Sequence, residues 1–416
     1  MTGKQHNESV LFFSSLYTSL VETVVNKKWP PRGLPAYYKL IEELSLRNIP
    51  LVIIYHCRKP LSGFGRVRKI RVEEINAEIY VLPWYEIKIV PERIERLVNR
   101  LYHFSSITCY VLKYRPGLIY TDKSHTRQAA FFTFLGKKVF LRVYGITKEL
   151  FDFMERNSKK IIKNSAYYSF FAKYAYVLGS LDGSDIDLFF TKYLDPKVPN
   201  KIMLNGADSF SMKDDRSFNV DIKKKYEIPD NSKIILFLSR FSPEKGGRQF
   251  IEVVDELRKK TQNIFSLMIG YGPLENYYRE IIIQRQLADF IEIISGLDHS
   301  EVLSVLPQTD LYISFNEEGN ICNTVLEALK AEVPVLTYMD RHTLKLYNDS
   351  VVYAKKNDTP VLISNKILEL ITNETKLGQY RRNASNFAEN NLKSWQERIE
   401  EEVRIIEQLL YNKFEI

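Results

Sequence analysis

Arg240 and Lys245 stand in the loop Arg240-Phe-Ser-Pro-Glu-Lys245-Gly-Gly247, directly after the short apolar run Ile234–Leu238. A run of that kind before a Gly-bearing turn reads as a buried strand, so both cations fall at a strand's carboxyl end. Gly246 and Gly247 let this backbone approach a ligand closely. A second run, Leu311–Phe315, feeds Glu318-Gly319-Asn320 and a helix-period stretch starting near Asn323. A helix amino terminus offers unpaired N–H groups and the positive end of its dipole, so the backbone from Gly319 through Asn323 and Thr324 suits an anion. Two cations and a helix terminus together suit a diphosphate. Glu327 follows Asn323 by four residues and shares its face. A carboxylate there is wasted on phosphate but accepts hydrogen bonds from sugar hydroxyls.

These residues need an open parallel sheet, where ligands bind at the carboxyl ends of the strands. The second half of the chain reads that way, with strands and helices alternating from Lys233 to about Leu370. The first half opens similarly. Val10–Ser15 is a strand, Gly33 marks a turn, Ala36–Leu46 is a helix and Leu51–Tyr55 a second strand. Residues 57–71 then carry six cations, including Arg66, Arg68 and Lys69, with no acid before Glu73. Strand Glu78–Leu82 follows, then an interrupted helix over Ile94–Tyr114 and strand Gly117–Tyr120. The polar loop after that strand holds Asp122 and His125. Lys138–Val143 is the next strand, and the aromatic stretch 164–179 reads as a helix leading into a strand. Asp182, Asp185 and Asp187 fall in what reads as a turn rather than a metal site. Lys393 to about Leu410 is an amphipathic helix.

In order and spacing, Ser239-Arg240-Phe-Ser-Pro-Glu-Lys245-Gly, Gly270-Tyr-Gly-Pro273, Glu318-Gly, Glu327-Ala-Leu and Val333-Pro-Val resemble the carboxyl-terminal domain of family-4 retaining glycosyltransferases of the GT-B fold. The resemblance implies an α/β protein with two Rossmann-like domains facing a central cleft. An acceptor domain over 1–210 and a donor domain over 211–393 are expected, with a terminal helix at about 394–416 crossing back to the first. It implies that Arg240 and Lys245 neutralise the leaving diphosphate, that Glu327 holds the donor ribose, and that Gly296 flanks the base. Glu318 would be the family's first glutamate. Eight residues separate it from Glu327 where the family has seven, so a strict count back lands on Gly319. His125 resembles a cleft histidine of relatives that contacts the transferred sugar, with Asp122 as its rival, and Gly33 resembles the family's first Gly-rich loop. The leaving phosphate itself is implied to take the acceptor's proton, so neither a cofactor nor a metal is expected.

The composition, 45% hydrophobic and 26% charged over 416 residues, is that of a folded chain of two domains. Its net charge of +8 is unevenly spread: residues 1–200 hold 31 Lys and Arg against 18 Asp and Glu, and the remainder is net acidic. A basic half suits nucleic acid, an anionic membrane or an anionic small molecule. No RNA-binding motif or zinc spacing supports nucleic acid. Arg66, Arg68 and Lys69, with Leu61, Phe64 and Val67 interleaved, are read as an acceptor-side segment facing an anionic membrane surface. Three separated cysteines fit a reducing compartment. No leader and no apolar run of membrane-spanning length is seen. A cytoplasmic protein, peripheral on the inner face of the membrane, is therefore expected. The reading is a metal-independent hexosyltransferase taking a nucleotide-diphosphate sugar and a glycan or lipid-linked acceptor, in cell-surface polysaccharide or glycolipid synthesis. The rivals are a nucleotide-sugar epimerase or hydrolase of the same fold and a non-catalytic basic binding protein.

Overall fold

The computed structural model describes residues 8–31, 33–157, 165–208, 221–317 and 319–411. The chain divides into two compact units, one of Met1–Leu181, Asp185–Met203 and Trp395–Ile416, the other of Asp182–Ser184 and Leu204–Ser394.

The first unit is built on eight strands: β1 (Val10–Ser15), β2 (Leu51–His56), β3 (Arg68–Ile70), β4 (Ala77–Leu82), β5 (Leu118–Asp122), β6 (Val139–Val143), β7 (Tyr176–Ser180) and β8 (Asn200–Met203). Their order is β3-β4-β2-β1-β5-β6-β7-β8. Every pairing is parallel except the edge pair β3–β4. β1 is buried on both faces, with Val10 and Phe12 in one apolar cluster and Leu11 and Phe13 in the other. That two-sided burial is why the run is continuously apolar instead of alternating. The helix Trp395–Tyr411 belongs to this unit, and Trp395, Ile399, Val403 and Ile406 join the cluster of Leu40 and Leu44.

The second unit carries β9 (Lys233–Leu238), β10 (Ile264–Gly270), β11 (Ile291–Ser295), β12 (Leu311–Ser314), β13 (Val335–Tyr338) and β14 (Val352–Ala354). Their order is β11-β10-β9-β12-β13-β14, parallel throughout. Each sheet reverses its winding once, between β1 and β5 in the first unit and between β9 and β12 in the second. Such a switch point opens a crevice at the carboxyl ends of the strands.

The structure departs from expectation in two places that matter below. Glu92–Tyr114 is one uninterrupted helix, because Thr108 satisfies its hydroxyl on the Phe104 carbonyl (2.8 Å) without breaking the ladder. The basic segment contains β3, an edge strand too short to register as a hydrophobic alternation.

Candidate functional site

The crevice between β9 and β12 opens into a cavity of ≈ 410 Å³. Arg240 and Lys245 line it from one side, and Gly319, Asn323 and Thr324 from the other. Arg240 is exposed, and Lys245 is half-buried at the end of the single turn Pro243–Lys245. Glu244, the acid between them, is turned aside: its carboxylate accepts from the Ser242 hydroxyl at 2.6 Å. That bond, opposed by partial burial and helped by Lys245 and Arg240, holds Glu244 below the usual carboxylate range. Both cations therefore face the cavity with their charge available.

Gly246 has a different purpose from the one expected. Its φ is 73°, and a Cβ there would fall 2.4 Å from Phe315 Cβ and 2.5 Å from the Phe315 carbonyl. The glycine lets two loops of the protein meet, rather than a loop and a ligand.

The helix Asn323–Lys330 starts at the cavity wall. Its first turn is fixed by side chains: Asn323 accepts from Asn205 Nδ2 (2.7 Å) and Thr324 from the Tyr312 hydroxyl (2.8 Å). The Asn323 and Thr324 N–H groups lack intrahelical partners by helix geometry. Asn320 is a correction. It is buried, and its amide donates to Asp340 Oδ2 at 2.7 Å, away from the cavity. Glu318 lies outside the described residues. Glu327 is buried behind the wall, with Oε1 2.9 Å from His299 Nε2. Gly296 follows β11, its N–H bonded to the Gly270 carbonyl (3.1 Å), and is off the cavity wall.

Three contributors escaped the sequence reading. Asn205 and His299 are remote in the chain from the residues they hold, so local spacing does not show what either one holds. Asp182 lines the cavity and its carbonyl accepts the Ile321 N–H (3.2 Å), while its carboxylate closes a turn on Ser184. Its cluster of acids was the one available signal, and the turn it predicts is the turn that forms.

The first unit has its own cavity, ≈ 240 Å³, at the β1/β5 switch point. Phe13, Tyr17, Leu34, Tyr37, Tyr120 and Tyr144 make its walls largely apolar, and among the described residues Asp122 is the one carboxylate on them. Asp122 accepts from the Tyr17 hydroxyl (2.8 Å) and the Ser124 N–H (2.7 Å). Burial works against its charge, but His125, the Ser124 N–H and Tyr17 outweigh it and hold the pKa at about 2. His125 itself is corrected: it stands behind Asp122, off the wall. Its Nδ1 is 3.4 Å from Asp122 Oδ1 and its Nε2 2.6 Å from His56 Nε2. The His56 ring centroid lies 4.6 Å from that of His103, whose Nε2 donates to the Pro83 carbonyl at 2.7 Å. His125 is thus a positioning residue and Asp122 the group on the surface.

The other acceptor-side residues lie apart from this cavity. Gly33 is exposed and off its wall, although Leu34 beside it is on it. Arg66, Arg68 and Lys69 are on or beside β3, at the sheet edge and three strands from β1. Arg68 Nε donates to the Gly63 carbonyl (3.2 Å), and Lys69 pairs with Glu78 (2.8 Å).

The histidines carry a pH consequence. Burial, then the proximity of His125 and His103, pushes His56 well below the usual imidazole value, and burial lowers His103. In the unfolded chain a histidine protonates near 6.5, so on acidification the unfolded state takes up protons that the fold refuses. Stability is therefore expected to fall as pH drops below about 6.5, by up to about 1.4 kcal/mol per pH unit for each such histidine. Denaturant titrations at pH 7.5 and 5.5 should show a smaller difference in His56→Gln than in the wild type. Equal differences contradict this assignment.

The family model described as glycosyl transferases group 1 matches residues 219–390. Alpha-D-kanosaminyltransferase of Streptomyces kanamyceticus is 22% identical over 144 residues, 35% of this chain and 37% of its own length. The matched stretches span 30% to 57% of the curated relatives' lengths. Among solved structures, sucrose-phosphate synthase from Thermosynechococcus elongatus superposes with a TM-score of 0.68 at 12% identity, over 98% of this chain and 100% of its own. Anabaena Alr3699/HepE in complex with UDP and glucose does so at 0.64 and 12%, with coverage of 98% and 100%. Two Rossmann-like units, each with a crevice at its switch point, define a protein of the GT-B fold class. Residues 219–390 are thus similar to the glycosyl transferases group 1 family.

Proposed function

We propose that the protein is a retaining glycosyltransferase that takes its sugar from a nucleoside diphosphate. One observation carries the reading: Arg240, Lys245 and the first residues of the helix Asn323–Lys330 line one cavity at a switch point. That arrangement suits a diphosphate. The acceptor hydroxyl attacks the anomeric carbon as the bond from that carbon to the diphosphate oxygen breaks. The hydroxyl proton passes to a diphosphate oxygen, and the charge left on the leaving group meets the two cations and the helix terminus. The ≈ 240 Å³ cavity of the first unit takes the acceptor, with Asp122 orienting its hydroxyl between apolar walls. A glycan or a lipid-linked sugar fits such walls, and cell-surface polysaccharide or glycolipid synthesis is the setting we assign. UDP is the first nucleotide to test, because a structural neighbour was solved with it.

Glu327 keeps one oxygen on His299, and we assign the other to the ribose hydroxyls. Calorimetry should then show Glu327→Ala binding the free nucleoside diphosphate about 10–100-fold more weakly, the equivalent of a charged hydrogen bond. Unchanged affinity refutes that role.

The test of the reading is product analysis with a panel of nucleotide sugars, with and without a glycan acceptor. A new glycoside that retains the anomeric configuration supports it; free sugar or an epimer in place of a glycoside refutes it. Transfer should also continue in EDTA, since the cations the leaving group needs are side chains. Loss of transfer in EDTA, restored by Mg²⁺ or Mn²⁺, contradicts metal independence.

A further inference from the structure

We propose that the amino-terminal half of the helix Glu92–Tyr114 is a docking surface for an anionic lipid bilayer. Ile94, Leu97, Val98 and Leu101 are 47%, 56%, 41% and 60% exposed. Their spacing places them in one stripe along the helix. The same helix already has an inward face, made by Asn99, His103, Ile107, Val111 and Tyr114. A helix with one face in the core should turn polar residues outward, so a second apolar stripe calls for a partner. Ile89, in the turn leading into the helix, is 94% exposed.

The charges beside the stripe select that partner. Arg93, Arg96 and Arg100 are exposed; Arg93 and Arg100 run along one flank of it, and Arg96 sits farther round toward the inward face. Of the acids on this half of the helix, Glu95 is turned inward to Trp84 Nε1 (2.8 Å) and the Ile87 N–H (3.0 Å), and Glu92 lies 3.6 Å from Arg96 and offsets that one arginine, leaving Arg93 and Arg100 in excess. An apolar ridge flanked by arginine suits a surface that is greasy at depth and negative above. A second copy of the chain suits it poorly, because a two-fold contact would set three arginines against the same three. The helix lies on the bilayer rather than across it, since no described helix is long and apolar enough to span one.

β4 ends at Leu82, and the helix returns antiparallel to it over the sheet. Its amino-terminal half therefore stands at the carboxyl edge, the edge that holds the first unit's cavity. On its inner face, His103 reaches Asp122 through His56 and His125. The basic segment of residues 58–71 fits a membrane less well than its sequence promised. Leu61 and Phe64 pack against the core, leaving Val67 as its exposed apolar residue among those three, and Lys69 is held by Glu78.

Co-sedimentation of the full chain with vesicles tests this, independently of any glycosyl transfer. Wild type should pellet with phosphatidylcholine vesicles enriched in phosphatidylserine, should not pellet with phosphatidylcholine alone, and should be released by salt. The triple variant Arg93→Gln, Arg96→Gln, Arg100→Gln should bind roughly 100-fold more weakly, about fivefold for each arginine. Leu97→Ser with Leu101→Ser should also lose binding, with its circular dichroism unchanged because both side chains face solvent. Arg66→Gln with Arg68→Gln should bind as wild type. The proposal is overturned if wild type ignores anionic vesicles, if the triple variant pellets like wild type, or if the Arg66/Arg68 variant is the one that fails. It is equally overturned if light scattering shows a dimer that Leu97→Ser with Leu101→Ser dissociates, since the ridge is then a protein interface.

Discussion

Arg240→Ala and Lys245→Ala are each expected to lower kcat by roughly 10²–10³-fold, the cost of removing one donor from a developing anion. The melting temperature should not move. Arg240 is exposed and Lys245 half-buried, and the loop is held by its backbone bonds, Ser242 N–H to the Arg240 carbonyl and Lys245 N–H to the Ser242 carbonyl. Charge on the diphosphate grows as the glycosidic bond breaks, so the loss belongs in kcat more than in KM. Arg240→Lys keeps the charge and should recover part of the rate, which a purely steric role would not allow. Near-normal turnover in both alanine variants removes the diphosphate from this cavity.

Glu402→Ala should destabilise the first unit by about 3–5 kcal/mol, the cost of leaving a buried charge without its partner. Glu402 is fully buried and accepts from the Tyr120 hydroxyl (2.7 Å) and Arg398 (3.0 Å), with Arg142 Nε at 3.6 Å. Arg142 and Arg398 are buried as well, so the variant takes the carboxylate away from two buried guanidinium groups. Arg142 keeps bonds to the Leu178 carbonyl and Ser180 Oγ (both 2.9 Å), whereas burial already pushes Arg398 below its ordinary value. Arg142 also stacks on Tyr144, 4.7 Å from its ring centroid, and Tyr144 and Tyr120 both line the first cavity. Denaturant unfolding should show the loss together with weaker acceptor saturation. A change below about 1 kcal/mol would mean that the site relaxes or admits water.

What was legible in the sequence was what is local in the fold. Arg240 and Lys245 share one loop, and the helix at Asn323 begins where its period begins, so strand, loop and helix grammar placed them on one cavity. Side-chain direction was not legible. Asn320 and Asn323 are the same residue type three positions apart, yet Asp340 draws one inward and Asn205 holds the other at the wall. His125 gave the same difficulty, since its partner His56 ends a different strand. Gly246 was explained by a ligand when Phe315, far along the chain, was the reason for it. β3 and β8 escaped because they are largely exposed edge strands with one buried residue each, and so show no apolar run.

Calorimetric titration of the wild-type protein with nucleoside diphosphates, UDP first, tests the central claim most directly. The account predicts saturable binding at one site per chain, lost in the Arg240→Ala, Lys245→Ala double variant while its fold remains intact. Failure of every nucleoside diphosphate to bind, or binding that survives in the double variant, would contradict it.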